Sequence, residues 1–485
     1  MRPSVRFLDQ NLIERIIAEA RDLLFKLGVQ ISNPGVLSLL GDHGARVDQA
    51  TQRVFFTPEI IDKSLTTVPR TFRLYDTKGN EAVDFSGENV NFTPGSTAIN
   101  ILDHGESSVR RPDTNDYVRY VKLMTAMEHV ASQSTAMVAA DVHERISDSY
   151  RLYLSLLYCD KPVITGAFTA SAFEIMKNLQ LAVRGSADEL AAKPLTVFSA
   201  CPTSPLKWCD VTSQNLVDCA NHMIPVEYIA MPLAGFMAPV TLVGSLVQHT
   251  AETLSGIAIS QLTRPGAPAL YGGSPAVFDV RYETTPMGAV GTMMMDCAYS
   301  EIGKYLGFPT QAYTGLSDAK LLDAQAGFET SMGATLAGLA GINNIAGSGM
   351  MDFENCFSLE KLVLDNEICG MVLRMVRGIE PKEDFPSLPR FEEMLNEGHL
   401  LISEHTMKYL NDEVYFPGPV IDRANRSRWH EEGSVTLGER AHGEVERLID
   451  EWEGTGLGEE ARRDMTAMMV AEAKKFGMEK LPELP

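Results

Sequence analysis

The chain has 485 residues, 45% of them hydrophobic, and carries 42 basic against 64 acidic side chains, a formal net charge of −22. That balance argues against nucleic acid, whose phosphates need Lys and Arg patches, and predicts a solvated acidic exterior. The seven cysteines are scattered without a C-x-x-C pair, the N-terminus lacks the apolar core of a signal peptide, and no charge-free run of about 18 apolar residues predicts a membrane span, so the reading is a cytoplasmic protein with reduced thiols and no membrane attachment.

Residues 1–90 open on L-I-E-R-I-I-A-E-A-R-D-L-L-F-K-L-G, whose apolar positions recur at helical spacing, and continue with the short strand candidates R-V-F-F and T-F-R-L-Y. This stretch reads as an α+β N-terminal cap. From 91 to 379 the pattern becomes a regular alternation. Strands are predicted at 90–93, 134–140, 162–166, 195–200, 226–231, 269–271, 310–313 and 344–347. Helices are predicted at 113–127, 147–157, 173–183, 213–222, 244–262, 288–306, 324–339 and 359–376. Several strands are apolar without alternation, as parallel strands buried on both faces are. Eight strand–helix units in about 290 residues predict a (β/α)8 TIM barrel. No G-x-G-x-x-G follows a strand, which disfavours a doubly wound dinucleotide fold. Residues 380–485 begin with P-K-E-D-F-P-S-L-P-R and continue as a helical C-terminal extension, with helices around 391–396, 403–410, 441–452 and 459–476.

The most informative stretch runs from Tyr313 to Gly349: Y-T-G-L-S-D-A-K-L-L-D-A-Q-A-G-F-E, a helix, then G-I-N-N-I-A-G-S-G. Ser317 and Asp318 suit the cap of the following helix, capping being favoured for Asp318 over countering a cation. Ala324, Ala326, Gly327 and Gly333 suit close packing of that helix on a sheet. Gln325 and Glu329 stand four apart on one helical face, near the strand end where barrel enzymes place their chemistry.

With D-H-G-E-S-S-V-R-R-P-D-T-N-D-Y near Asp103, S-L-E-K-L-V-L-D-N-E near Ser358 and H-T-M-K-Y-L at His405, this stretch resembles the trimethylamine methyltransferase superfamily, the corrinoid-dependent methyltransferases. The resemblance spans nearly the whole length. It implies methyl transfer from an amine to the Co(I) centre of a corrinoid (cobalamin) carried by a separate cognate corrinoid protein, with no cofactor permanently bound. The founding trimethylamine enzymes carry pyrrolysine, whereas this chain contains only the twenty standard residues. A tertiary amine leaves poorly, as an amide anion, whereas a quaternary ammonium leaves as a neutral amine. The expectation is therefore a glycine betaine methyltransferase yielding dimethylglycine, with other betaines close behind. The alternatives are a tertiary-amine enzyme working without pyrrolysine and a non-catalytic betaine-binding barrel.

The loops after the strands should form the site. No H-E-x-x-H, H-x-C or G-x-S-x-G occurs, so neither a metal nor a nucleophilic serine is expected. A quaternary ammonium is held by aromatic faces at roughly 0.5–2 kcal/mol per contact, which nominates Phe168, Phe236, Tyr271 and Tyr313. A substrate carboxylate would pair with His143, Arg281 or His405. Gly349, in the last glycine-rich turn, completes the binding set. Asp318, Gln325 and Glu329, inside the segment that carries the resemblance, are the catalytic candidates. Barrels of this size commonly self-associate, so a homo-oligomer is compatible with the chain.

Overall fold

The computed structural model describes residues 2–485. Eight parallel strands form the centre: β1 (Asn91–Pro94), β2 (Gln133–Ser134), β3 (Val163–Thr165), β4 (Thr196–Ala200), β5 (Val226–Ala230), β6 (Ala269–Gly273), β7 (Gln311–Tyr313) and β8 (Asn344–Ser348). Each is followed by a helix: α1 (Thr114–Ala126), α2 (Ser147–Tyr158), α3 (Ala172–Arg184), α4 (Asp210–Asn221), α5 (Leu242–Thr263), α6 (Val290–Tyr305), α7 (Ala324–Ala340) and α8 (Leu359–Arg377).

Strands β2 to β6 pair in sequence order, β7 pairs with β8, and β8 pairs with β1. Parallel bridges Tyr271–Thr310 and Ala98–Met137 join β6 to β7 and the end of β1 to the end of β2. The sheet therefore closes, and the TIM barrel expected from the alternation is the fold. β2 is shorter than expected because beyond Ser134 regular strand pairing gives way to that isolated bridge.

The strands are buried on both faces, and their side chains alternate between the barrel axis and the helices. On β5, Tyr228 faces outward, where a Cβ on Gly256 of α5 would come within 2.7 Å of its ring. Glu227 and Ile229 therefore face inward.

Helix α5 is buried nearly all round, polar residues such as His249, Glu252 and Gln261 included. The barrel covers one side of it, and the helix Gln10–Lys26 lies against the other. The strand Val29–Ile31 pairs antiparallel with Arg53–Phe55 and parallel with Lys207–Trp208 from the loop after β4, which fastens the N-terminal segment to the barrel. Five further helices follow α8: α9 (Leu388–Glu397), α10 (Glu404–Glu413), α11 (Arg426–Glu431), α12 (Leu437–Asp450) and α13 (Glu459–Lys475). α12 packs on α8 and α1, and α13 on α2 and α3. No helix among the described residues is long and apolar enough to cross a membrane.

Candidate active site

A cavity of about 390 Å³ opens at the carboxyl ends of the strands, the end where barrel enzymes work. The loop after β1 gives Ser96 and Thr97, that after β3 gives Ala167 and Phe168, and that after β4 gives Cys201. Ser199, Ile229, Ser274 and Tyr313 come from the strands or their ends, and Glu354 from the segment after β8. No Lys, Arg or His is among its lining residues.

Glu354 reaches the cavity by an unusual backbone route. Asp352, Phe353 and Glu354 all take left-handed conformations, with φ of 49°, 58° and 65°. Each such non-glycine residue costs about 1–2 kcal/mol, so the turn must be held from outside. Asp352 N–H donates to Ala319 O at 3.1 Å, and Asn355 O accepts from Ile99 and Asn100 N–H. Lys320 Nζ sits 3.8 Å above the Phe353 ring. The Glu354 Oε1 atom is buried and has no hydrogen-bond partner. Burial, helped by the nearby Asp318 charge, pushes its pKa up to about 8.

A second inward carboxyl, Glu227, accepts a 2.6 Å hydrogen bond from Ser199 and leaves Oε2 buried without a partner. Burial raises it to about 7. Asp296 on α6 is enclosed with both oxygens unpartnered, and burial together with the Glu354 charge pushes it far up. Tyr313 shares a 3.4 Å contact between its hydroxyl and Ser96 Oγ. Burial and the charges of Glu227 and Glu354 disfavour its phenolate, so it remains a neutral phenol. Near the mouth, Arg151 is 1% exposed and is paired to Asp148 at 3.2 Å. Its guanidinium also donates to Thr97 Oγ1 at 3.3 Å and lies 5.0 Å from the Phe168 ring centroid. The arrangement is anionic and aromatic at its heart, hydroxyl-rich at its edge, with one paired cation just behind the wall.

Of the residues nominated from sequence, the structure brings Phe168 and Tyr313 together in this cavity. Phe236, in the loop after β5, is not in the lining; it is 63% exposed and stacked on Phe278 at 4.9 Å. Tyr271 points the other way: its hydroxyl donates to Thr250 on α5, because alternation along β6 turns position 271 outward. His143 is exposed and stacked on Phe476 of the C-terminal segment. Arg281 is a surface residue whose guanidinium is engaged by Asp279 at 2.6 Å. His405 lies on α10, beside Tyr409 and away from the cavity lining. Gly349 takes φ of 84° and gives its N–H to Asp365 at 2.7 Å.

Asp318 does not cap α7. That cap is Asp323, which accepts from Gln325 and Ala326 N–H, because the chain makes one more turn before the helix starts. Asp318 instead accepts the N–H groups of Met287 and Gly288 at 2.9 and 2.8 Å, tying the loop before α6 to the loop after β7. Its carboxyl is raised to about 6 by burial. Glu329 accepts from Ser317 Oγ, Asp318 N–H and Gln325 Nε2 at 2.6, 2.8 and 2.9 Å. The three catalytic candidates thus form one polar brace that couples to Glu354 electrostatically through Asp318.

Glu227 and Glu354 were not nominated from sequence. Glu227 had a signal, a lone carboxylate inside the strand P-V-E-Y-I-A of a parallel barrel. Glu354 had none, because its position depends on the left-handed turn.

Comparison with known proteins gives a consistent picture. The family model described as trimethylamine methyltransferase matches residues 1–477. A trimethylamine methyltransferase of Methanosarcina thermophila is 30% identical over 463 residues, covering 92% of this chain and 93% of the relative. A glycine betaine methyltransferase of Desulfitobacterium hafniense (strain Y51) is 27% identical over 479 residues, covering 98% and 99%. The crystal structure of the Methanosarcina barkeri monomethylamine methyltransferase superposes with a TM-score of 0.52 at 12% identity over 93% of this chain and 89% of that one, a likeness of fold.

Proposed function

The chain belongs to the trimethylamine methyltransferase family and is a methyltransferase, and on that footing we propose that it moves a methyl group from a quaternary methylammonium compound, glycine betaine first, to the Co(I) centre of a corrinoid carried by a partner protein. The observation that carries the reading is a pair of buried, unpartnered carboxyl oxygens near Tyr313: Glu354 Oε1, from a residue lining a cavity with no cationic side chain in its wall, and Glu227 Oε2, facing inward on β5. A trimethylammonium head cannot donate a conventional hydrogen bond, so it is held by charge and by aromatic faces. Bound there, it would lower the pKa of Glu354 and favour the ionised form that neutralises it.

The chemistry asks little of the protein beyond placement. Co(I) is a strong nucleophile and accepts the methyl group. The carbon–nitrogen bond breaks with its electron pair staying on nitrogen, the cobalt–carbon bond forms, and dimethylglycine leaves as a neutral amine with no proton transfer. Tyr313 and Phe168 orient the head and keep water from it, a positioning role of the kind that reduces the entropic barrier. Ser96, Thr97 and Ser274 supply hydroxyls for the substrate carboxylate, and Arg151 lends its charge through Thr97. The relative named as a glycine betaine methyltransferase, aligned over nearly all of both chains, supports the same class.

A second reading is a tertiary amine. Carboxyls raised to about 8 and about 7 keep protons near neutrality and offer O–H donors to an uncharged nitrogen. An anaerobic assay with chemically reduced Co(I) cobalamin decides, following loss of the Co(I) absorbance and growth of the methyl-Co(III) band. Turnover with glycine betaine, proline betaine or carnitine supports the quaternary reading. Turnover with trimethylamine alone supports the tertiary one, and silence with all four in the presence of a corrinoid protein rejects both.

A further inference from the structure

Away from the barrel mouth, three segments far apart in sequence meet at one point. His104 lies in the D-H-G-E segment just beyond Ile101, Glu360 is the second residue of α8, and His442 sits on α12. One donor atom from each of the three side chains lies within 4.8 Å of the other two. The two imidazole rings lie 4.2 Å apart and are nearly parallel, at 7°. His442 Nδ1 is 2.9 Å from Glu360 Oε1, and Ser358 Oγ donates to the second carboxyl oxygen at 3.2 Å. Glu360 is buried, whereas both imidazoles face a cleft of about 380 Å³.

We propose that His104, Glu360 and His442 form a binding site for a divalent transition metal of the zinc class, with water completing the coordination. Two imidazoles and one carboxylate suit such an ion, whereas calcium and magnesium prefer oxygen alone. Tetrahedral coordination at about 2.0–2.1 Å places donors roughly 3.3 Å apart, so on binding the widest-spaced donors close by up to roughly 1.5 Å while the 2.9 Å His442–Glu360 pair opens slightly. That movement is available, since His104 is exposed and His442 is 40% exposed. The charges nearby do not oppose it. Arg110 in the same cleft is neutralised by Asp103 and Asp116, and Arg119 by Glu446.

The location gives the ion a structural task. Cys356–Phe357 pairs parallel with Asn100–Ile101, so His104 and Glu360 both leave one small sheet, whose other connection is the turn that carries Glu354. His442 belongs to a helix 82 residues further along the chain than Glu360. The ion would clasp that helix to the sheet and brace the turn.

The test uses full-length, tag-free protein freed of metal with a chelator and titrated with Co2+ and with Zn2+. Binding of one Co2+ per chain, with the visible bands of a low-coordinate ion, is expected. His104→Ala and His442→Ala should each weaken it by roughly tenfold or more. Zn2+ should raise the Tm of the parent protein but not that of the variants. Cys209→Ser is the control, because Cys209 is an exposed thiol that could take either metal. No saturable binding, binding indifferent to both histidines, or binding lost with Cys209→Ser would each overturn the proposal. His104 is exposed on its loop, so its variant retains the fold and keeps the test informative.

Discussion

Ser199 and Glu227 face each other across neighbouring barrel strands, in register and joined by a 2.6 Å hydrogen bond from the serine hydroxyl to the carboxyl. The bond fixes one carboxyl oxygen and leaves the other, buried and unpartnered, turned to the barrel axis. A charge held that way is worth most to a cation that brings few hydrogen bonds of its own. Glu227→Gln keeps the shape and removes the charge. It should weaken glycine betaine binding by about 10- to 100-fold, matching the ~1.5–3 kcal/mol of a charge-assisted contact. The carbon analogue 3,3-dimethylbutanoate, of the same shape without the positive charge, should bind parent and variant alike. Calorimetry with both ligands reads the difference, and an equal loss for the two would show that the variant disturbs shape and not charge.

Glu354 sets the pH dependence. Its pKa, about 8 against an ordinary 4.5, means that it is ionised only above neutrality in the free enzyme. A quaternary ammonium prefers the carboxylate, so its association constant should climb as pH rises through about 8, and Glu354→Gln should flatten the climb. Stability moves oppositely. The native chain holds more protons than the unfolded chain between about 4.5 and about 8, so folding free energy falls as pH rises through that window. Glu227 and Asp318, also raised by burial, push in the same direction. Urea midpoints taken from pH 5 to 8 should decline in the parent protein and decline less in Glu354→Gln. A midpoint rising with pH, or the same slope in the variant, would contradict this assignment.

Lys361 and Asp365 form a wholly buried ion pair at 2.5 Å, one turn apart on α8. Lys361 also donates to Thr330 on α7, and Asp365 accepts the N–H of Gly349 at the end of β8. Removing one partner strands the other charge, so Lys361→Met should cost about 3–5 kcal/mol. Lys361→Met with Asp365→Leu should cost less than the single change, although the Gly349 N–H is then left without its acceptor, at about 1–3 kcal/mol. Urea unfolding of the three proteins checks the order. A double variant less stable than the single one would mean that the packing matters more than the pair.

Reading the sequence found the barrel because parallel strands buried on both faces write themselves as short apolar runs at regular intervals. The same reading missed the helices Pro34–Asp42 and Pro58–Thr67, although both begin with a capping residue followed by proline, Asn33-Pro34 and Thr57-Pro58. Side-chain direction was the harder part. Tyr271 and Tyr313 both lie on predicted strands and look equivalent in sequence, yet one faces α5 and the other the cavity. A shift of one residue along a strand exchanges the two faces, and predicted strand ends are not that sharp. Arg281 and His405 were nominated for their charge, but charge on an exposed loop or outlying helix does not place a group at the mouth.

The small residues of α7 separate into two kinds, and one pair of substitutions tells them apart. A Cβ on Gly333 would sit 2.0 Å from the carbonyl oxygen of Thr314, the residue following Tyr313. A Cβ on Gly327 would meet nothing within 4 Å. In a helix interior, replacing glycine with alanine ordinarily gains about 0.5–1 kcal/mol. Gly327→Ala should show that gain. Gly333→Ala must push α7 from the barrel or bend the end of β7, and overpacking of this kind costs about 1–3 kcal/mol. The strain falls one residue from Tyr313, so Gly333→Ala should also raise the KM for the methylammonium substrate, while Gly327→Ala leaves it unchanged. Urea unfolding and KM for both variants supply the check. If both substitutions stabilise the protein equally, the close approach of α7 to β7 is not the constraint that Gly333 serves.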